Sequence, residues 1–230
     1  MNKIIALLIV CMSVIIPIRF STMETTQNGE QALPDYLSLY YEMNLEDRID
    51  LKAFEQAYLG YLKLDPDNKE FITLIDYTKP TSQERFFVLD LENKEVLYSS
   101  HVLHGKNSGY EQPTTFSNEV DSHKSSLGFF ITAKPYYGKY GYALRIDGQE
   151  DGINDNARDR AIVIHASKFA DPNVLNNART VPRSLGCPAI PYENHKEIID
   201  TIKEGSLVYV YADNQEYENQ SDLLNSTMTS

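Results

Sequence analysis

Cys187 and His165 are the residues of this chain best suited to do chemistry together. Cys187 lies in the run Arg183-Ser184-Leu185-Gly186-Cys187-Pro188, and His165 closes the apolar run Ala161-Ile162-Val163-Ile164. The second cysteine, Cys11, falls in a hydrophobic N-terminal segment, so the folded body carries one thiol without a partner. In a chain that reads as exported, a leftover cysteine points to a reactive thiol. A free cysteine titrates near pH 8.5, so only about 3% is thiolate at neutral pH. An imidazole within about 3 Å can act as its base. Twenty-two positions separate the two residues, which permits contact without forcing it. No acid adjoins His165, so the carbonyl of Ala166 is the candidate for orienting the ring. The peptide N–H groups of Gly186 and Cys187 offer an oxyanion hole, and Gly186 lets the backbone approach closely. The blander readings stay open: a small buried hydrophobe for Cys187 and a satisfied core residue for His165.

Around this pair, Ser184 is a candidate to steady the loop or contact substrate. Arg183 is a candidate to stabilise a thiolate or grip a carboxylate, with a solvated surface charge as the equal alternative. His101 and His104 point to opposite faces if both sit on one strand. With His165 and Cys187 they match no compact zinc motif, so neither a metal nor a cofactor is expected.

The elements that must hold these residues are mostly strands. Runs at Phe71–Tyr77, Arg85–Leu91, Glu95–Leu103, Gly128–Lys134, Tyr142–Ile146, Ala161–His165 and Ser206–Tyr211 are rich in β-branched and aromatic residues. Phe54, Ala57, Tyr58, Tyr61 and Leu62 instead fall on one helical face, with Asp50 as N-cap and Asp65-Pro66 as the stop. One late helix spans about Glu193 to Lys203 and closes at Gly205. The fold expected is mainly β, a sandwich or partly closed barrel with an N-terminal helical arm. Two irregular stretches, Leu103 to Gly128 and Phe169 to Pro182, would rim a site at one sheet end. The cluster Tyr136, Tyr137, Tyr140 and Tyr142 reads as ordinary strand composition.

Composition bounds the partners. The chain has 230 residues, with 21 Lys and Arg against 33 Asp and Glu, a net charge of -12. Such a body repels phosphate backbones, so nucleic acid is not an expected partner. Met1-Asn2-Lys3 followed by the apolar Ile4–Ile18 has the layout of a secretory signal. The apolar run is shorter than the roughly 17–25 residues of a spanning helix. Residues 1–22 are therefore read as a signal peptide or an N-terminal membrane anchor, with residues 4–18 as a candidate tether. Residues 23–44 read as a linker, 45–212 as the folded domain and 213–230 as a disordered tail. The expected location is the periplasm or cell envelope.

Several of these runs resemble one known family. Ile164-His165, the downstream Arg183-Ser184-Leu185-Gly186-Cys187-Pro188-Ala189, Phe116-Ser117-Asn118 and Ser125-Ser126-Leu127-Gly128 are similar to the murein L,D-transpeptidase catalytic domain family. Gly148, Asn154, Asn156-Ala157 and Arg160-Ala161-Ile162-Val163 add to the likeness, which covers about residues 45–212. The resemblance implies a cysteine acyltransferase acting on peptidoglycan stem peptides, with Cys187 as nucleophile and His165 as base. It also implies acylation by carbapenems. Ser184, Arg183, His104 and Asn118 are the candidate substrate-binding residues. The best-known branch has Gly after the histidine, and an aliphatic residue then Arg after the cysteine. Here Ala166, Pro188 and Ala189 stand in those places, so the chain resembles a distinct Cys-Pro branch. Water in place of an amine acceptor would make the enzyme an L,D-carboxypeptidase, and a non-catalytic wall-binding module is the alternative of another class.

Overall fold

The structure is a computed structural model, and it describes residues 36–226. The segment read as signal or anchor, residues 1–22, lies outside the described residues. No helix among those described is long and apolar enough to cross a membrane.

The periodic stripe of Phe54, Ala57 and Tyr58 forms helix α2, Leu51–Leu64. Asp50 caps its start by accepting from the backbone N–H groups of Lys52 and Ala53. Asp65 ends it in a left-handed conformation, φ 45°. Phe54 and Ala57 are fully buried, because a single amphipathic helix gains its stability by covering a sheet. The cover is close: a Cβ added at Gly60 would stand 2.0 Å from the Phe129 ring.

All seven strand segments read from composition are present as β1 Phe71–Asp76, β2 Phe86–Asp90, β3 Glu95–Ser100, β4 Gly128–Gly138, β5 Gly141–Gly148, β6 Val163–Ala166 and β8 Leu207–Tyr211. An eighth, β7 Ala189–Ile190, is too short to carry a pattern of its own. They form one sheet in the order β3-β2-β1-β8-β4-β5-β6-β7. The β1–β8 and β6–β7 pairs are parallel, and the others are antiparallel. The chain leaving β3 at one edge reaches back to the other, where Leu103 bridges Ala189. The architecture is thus mainly β, a single sheet curled until it nearly closes. The late helix, α4 His195–Ile202, buries Ile198, Ile199 and Ile202.

Two boundaries differ from the sequence reading. Part of the expected linker forms a helix, α1 Tyr36–Glu42. Leu39, Tyr40 and Met43 are buried, and the Tyr40 hydroxyl donates to Ile49 O at 2.6 Å. The expected disordered tail also folds as far as it is described, into α5 Gln215–Gln220 and α6 Asp222–Asn225. The reason is a buried carboxylate. Glu150 accepts from Phe129 N at 2.9 Å, from the Tyr217 hydroxyl at 3.2 Å and from Ser221 Oγ. A buried carboxylate without donors is costly, so the polar tail is recruited to supply them. The helix α3 Pro172–Asn177 was likewise unforeseen inside the Phe169–Pro182 stretch.

Candidate active site

Strand β6 is where the site is built. His165 pairs with Ala143 of β5 on one side and with Ala189 of β7 on the other. Its backbone N–H donates to Pro188 O at 3.3 Å, so the residue after Cys187 is locked to the histidine's own backbone. The ring is held from two directions. Nδ1 donates to Ala166 O at 2.9 Å, which leaves Nε2 as the acceptor. The face of the ring stacks on Tyr140, with centroids 4.5 Å apart and planes 17° from parallel. Tyr140 can reach it because Gly138 pairs with Gly141, so Lys139 and Tyr140 form the two-residue tip of the β4–β5 hairpin. Burial lowers the His165 pKa below 6.5, and the Ala166 carbonyl opposes that. The resting imidazole is therefore neutral at pH 7.

Cys187 is partly buried at the start of β6. Its Sγ donates to Ala161 O at 3.5 Å and is met by the Val163 N–H. Burial pushes the thiol up, while the Val163 N–H and the Arg160 guanidinium pull it down. The net shift is upward, so the resting state pairs a neutral thiol on Cys187 with a neutral imidazole on His165. The ring makes no hydrogen bond to the sulfur in this state. The turn that carries the sulfur depends on Gly186, which has φ +126°. A Cβ there would stand 2.9 Å from Lys124 O, so no other residue fits unstrained.

Arg160 ties the long loop beneath this turn. Its guanidinium donates to Ser117 O at 2.6 Å, Lys124 O at 2.6 Å, Ser122 Oγ at 3.2 Å and Ser126 Oγ. No carboxylate pairs with it among the described residues, and it is the cation felt by Cys187. Arg160 and Tyr140 were not singled out from the sequence as site residues. Arg160 stands immediately before the apolar β6 run, and Tyr140 sits between two glycines; both placements were visible, but not their targets.

A family model for the L,D-transpeptidase catalytic domain matches residues 45–211. The chain belongs to the L,D-transpeptidase catalytic domain family. No curated protein sequence matches it. Similar solved structures include an L,D-transpeptidase from Mycobacterium smegmatis, 14% identical with a TM-score of 0.39, covering 62% of this chain and 59% of that one. Another is an LD-transpeptidase in complex with imipenem, 16% identical with a TM-score of 0.38, covering 62% and 59%. An L,D-transpeptidase from Stackebrandtia nassauensis is 11% identical with a TM-score of 0.38, covering 77% and 76%. The chain thus spans about three fifths of the length of the first two. The assignment rests on the family match and not on these distant likenesses.

Within this L,D-transpeptidase domain the other candidate residues separate by position. His104 is wholly buried. Its Nδ1 accepts from Arg85 Nη2 at 2.9 Å, and burial followed by the Arg85 charge lowers its pKa to about 4. It braces the core and is not available to a substrate. Asn118 is a loop staple: Nδ2 donates to Asp155 Oδ1 at 2.7 Å, and Oδ1 accepts from Asn156 N at 3.1 Å. Ser184 Oγ accepts from Gly186 N at 3.1 Å. That contact takes one of the two expected oxyanion donors, so only the Cys187 N–H remains for the role. Arg183 is exposed, lies over the Tyr110 ring at 5.1 Å and donates to Lys106 O and Gly109 O. Gly105 bridges Ser184, so the loop after β3 and the turn that carries Cys187 are one unit.

Proposed function

We propose that this chain is a cysteine acyltransferase acting on peptidoglycan stem peptides through a Cys187 thioester. The observation that carries this reading is the His165 ring, with Nδ1 committed to the Ala166 carbonyl and Nε2 left as a base, on the strand that also seats the sulfur. For this step the thiol exchanges its weak S–H contact to Ala161 O for His165 Nε2. In the first step the thiol proton passes to His165 Nε2 and the sulfur attacks the carbonyl of the third stem residue. The tetrahedral oxyanion takes the Cys187 N–H. The C–N bond to the fourth residue then breaks, and the imidazolium returns its proton to the departing amine. In the second step an acceptor amine attacks the thioester, gives its proton to His165 and releases the thiol. A Tyr140 ring stacked on the imidazole keeps it dry and in place through both steps. Export follows from this substrate, and the apolar Ile4–Ile18 segment is the proposed signal or tether.

The test is intact mass after incubation with meropenem. One adduct is expected on the wild-type protein and none on Cys187→Ala, a change that removes little volume. An unlabelled wild type, or a labelled variant, refutes the assignment.

A further inference from the structure

The groove floored by His165 has a volume of about 350 Å³ and is lined by Tyr140, His165, Phe169, Arg183 and Tyr192. It shares Phe169 and Arg183 with a second lobe of about 370 Å³, whose wall includes Val174 and Arg179. Neither lobe has an Asp or Glu in its lining. That is unexpected on a chain with 33 acids against 21 bases. The cations present are Lys168, Arg179 and Arg183. None of the three has an acidic partner among the described residues. Elsewhere among the described residues, Lys52, Lys69, Lys94, Arg158 and Lys203 each meet a carboxylate.

These cations differ in how they are held. Arg183 is pre-aimed, because its Nη1 is pinned by the carbonyls of Lys106 and Gly109 and its plane lies over Tyr110. Arg179 is exposed on the stretch after α3 and makes no hydrogen bond among the described residues. Lys168 rests over the Phe169 ring at 5.1 Å. Adjacent unpaired cations repel one another, and a concave wall concentrates their field on an incoming anion. A guanidinium presents a fork that matches a carboxylate in two-point contact.

We propose that the second lobe binds a carboxylate of the stem peptide through Arg179 and Arg183, so that the protein selects stems with that carboxylate free over stems with it amidated. This deepens the transpeptidase reading and rests on its substrate class, though its test does not require turnover. Two carboxylates meet the chemistry: the α-carboxylate of the fourth residue and, in stems whose third residue carries one, that residue's side-chain carboxylate. Binding of a disaccharide tetrapeptide to the Cys187→Ala protein is measured by calorimetry, with each carboxylate amidated in turn. One amidation is expected to weaken binding about tenfold, the effect of one lost charge-assisted contact, and identifies which carboxylate is held. Arg179→Gln is expected to weaken the free stem and erase the difference between free and amidated. Arg179 is exposed, so the variant folds. Equal binding of all three peptides, no binding of any, or a difference that survives both Arg179→Gln and Arg183→Gln overturns the proposal. Carboxylate-selective binding without any turnover by the wild type leaves the proposal standing and refutes the acyltransferase reading instead.

Discussion

Gly186→Ala is the most direct challenge to the turn that carries the proposed nucleophile. At φ +126° an L-residue sits in a sparsely populated region, at a cost of roughly 1–3 kcal/mol. Its Cβ would stand 2.9 Å from Lys124 O, 3.2 Å from Ile162 Cδ1 and 3.5 Å from Arg160 Nη2. The carbonyl is backbone held by Arg160 and cannot swing aside, so overpacking adds roughly 1–3 kcal/mol. The sum, about 2–6 kcal/mol, has two outlets. Borne globally, it lowers the melting temperature by about 4–24 °C for a domain of this size. Relieved locally, it displaces the sulfur, and a shift near 1 Å costs about a hundredfold in rate. Gly152→Ala is the control, because Gly152 has φ +75° but nothing within 4 Å of its added Cβ. It carries the backbone cost alone, about 1–2 kcal/mol. Thermal melts and meropenem acylation rates are measured on both variants. A Gly186→Ala protein that melts no lower than Gly152→Ala and acylates at the wild-type rate refutes the reasoning.

Two further outcomes follow from the polar groups. In the proposed first step His165 must be neutral to accept the thiol proton, and burial holds its pKa below 6.5. The acylation rate is therefore expected to fall on an acid limb centred below pH 6.5; an acid limb centred above 6.5 contradicts this. Ser221 is fully buried and donates to Glu150. Ser221→Ala removes a hydrogen bond to a buried carboxylate, worth about 1.5–3 kcal/mol, and should lower the melting temperature by about 3–12 °C. An unchanged melt means the C-terminal helices do not anchor on Glu150.

Local pattern carried this protein a long way. The strand runs, the α2 stripe with its Asp50 and Asp65 ends, and the late helix were legible because period, caps and turns are encoded within a few residues of one another. Cys187 and His165 were legible as chemical types. Their surroundings were not, because these come from segments far apart in the chain. Tyr140 meets His165 only through β5–β6 pairing. Arg160 meets the loop from Ser117 to Ser126 only once the sheet has curled. His104 was read as a substrate contact and lies buried on Arg85, since its spacing carries no sign of depth. The polar tail read as disordered, and its described part, to Ser226, folds because Glu150 is buried and requires donors. Sequence by itself determined which residues could react and which segments would be strands. Tertiary structure decided what each polar group faces, because desolvation and hydrogen-bond satisfaction are set by distant neighbours that local pattern does not encode.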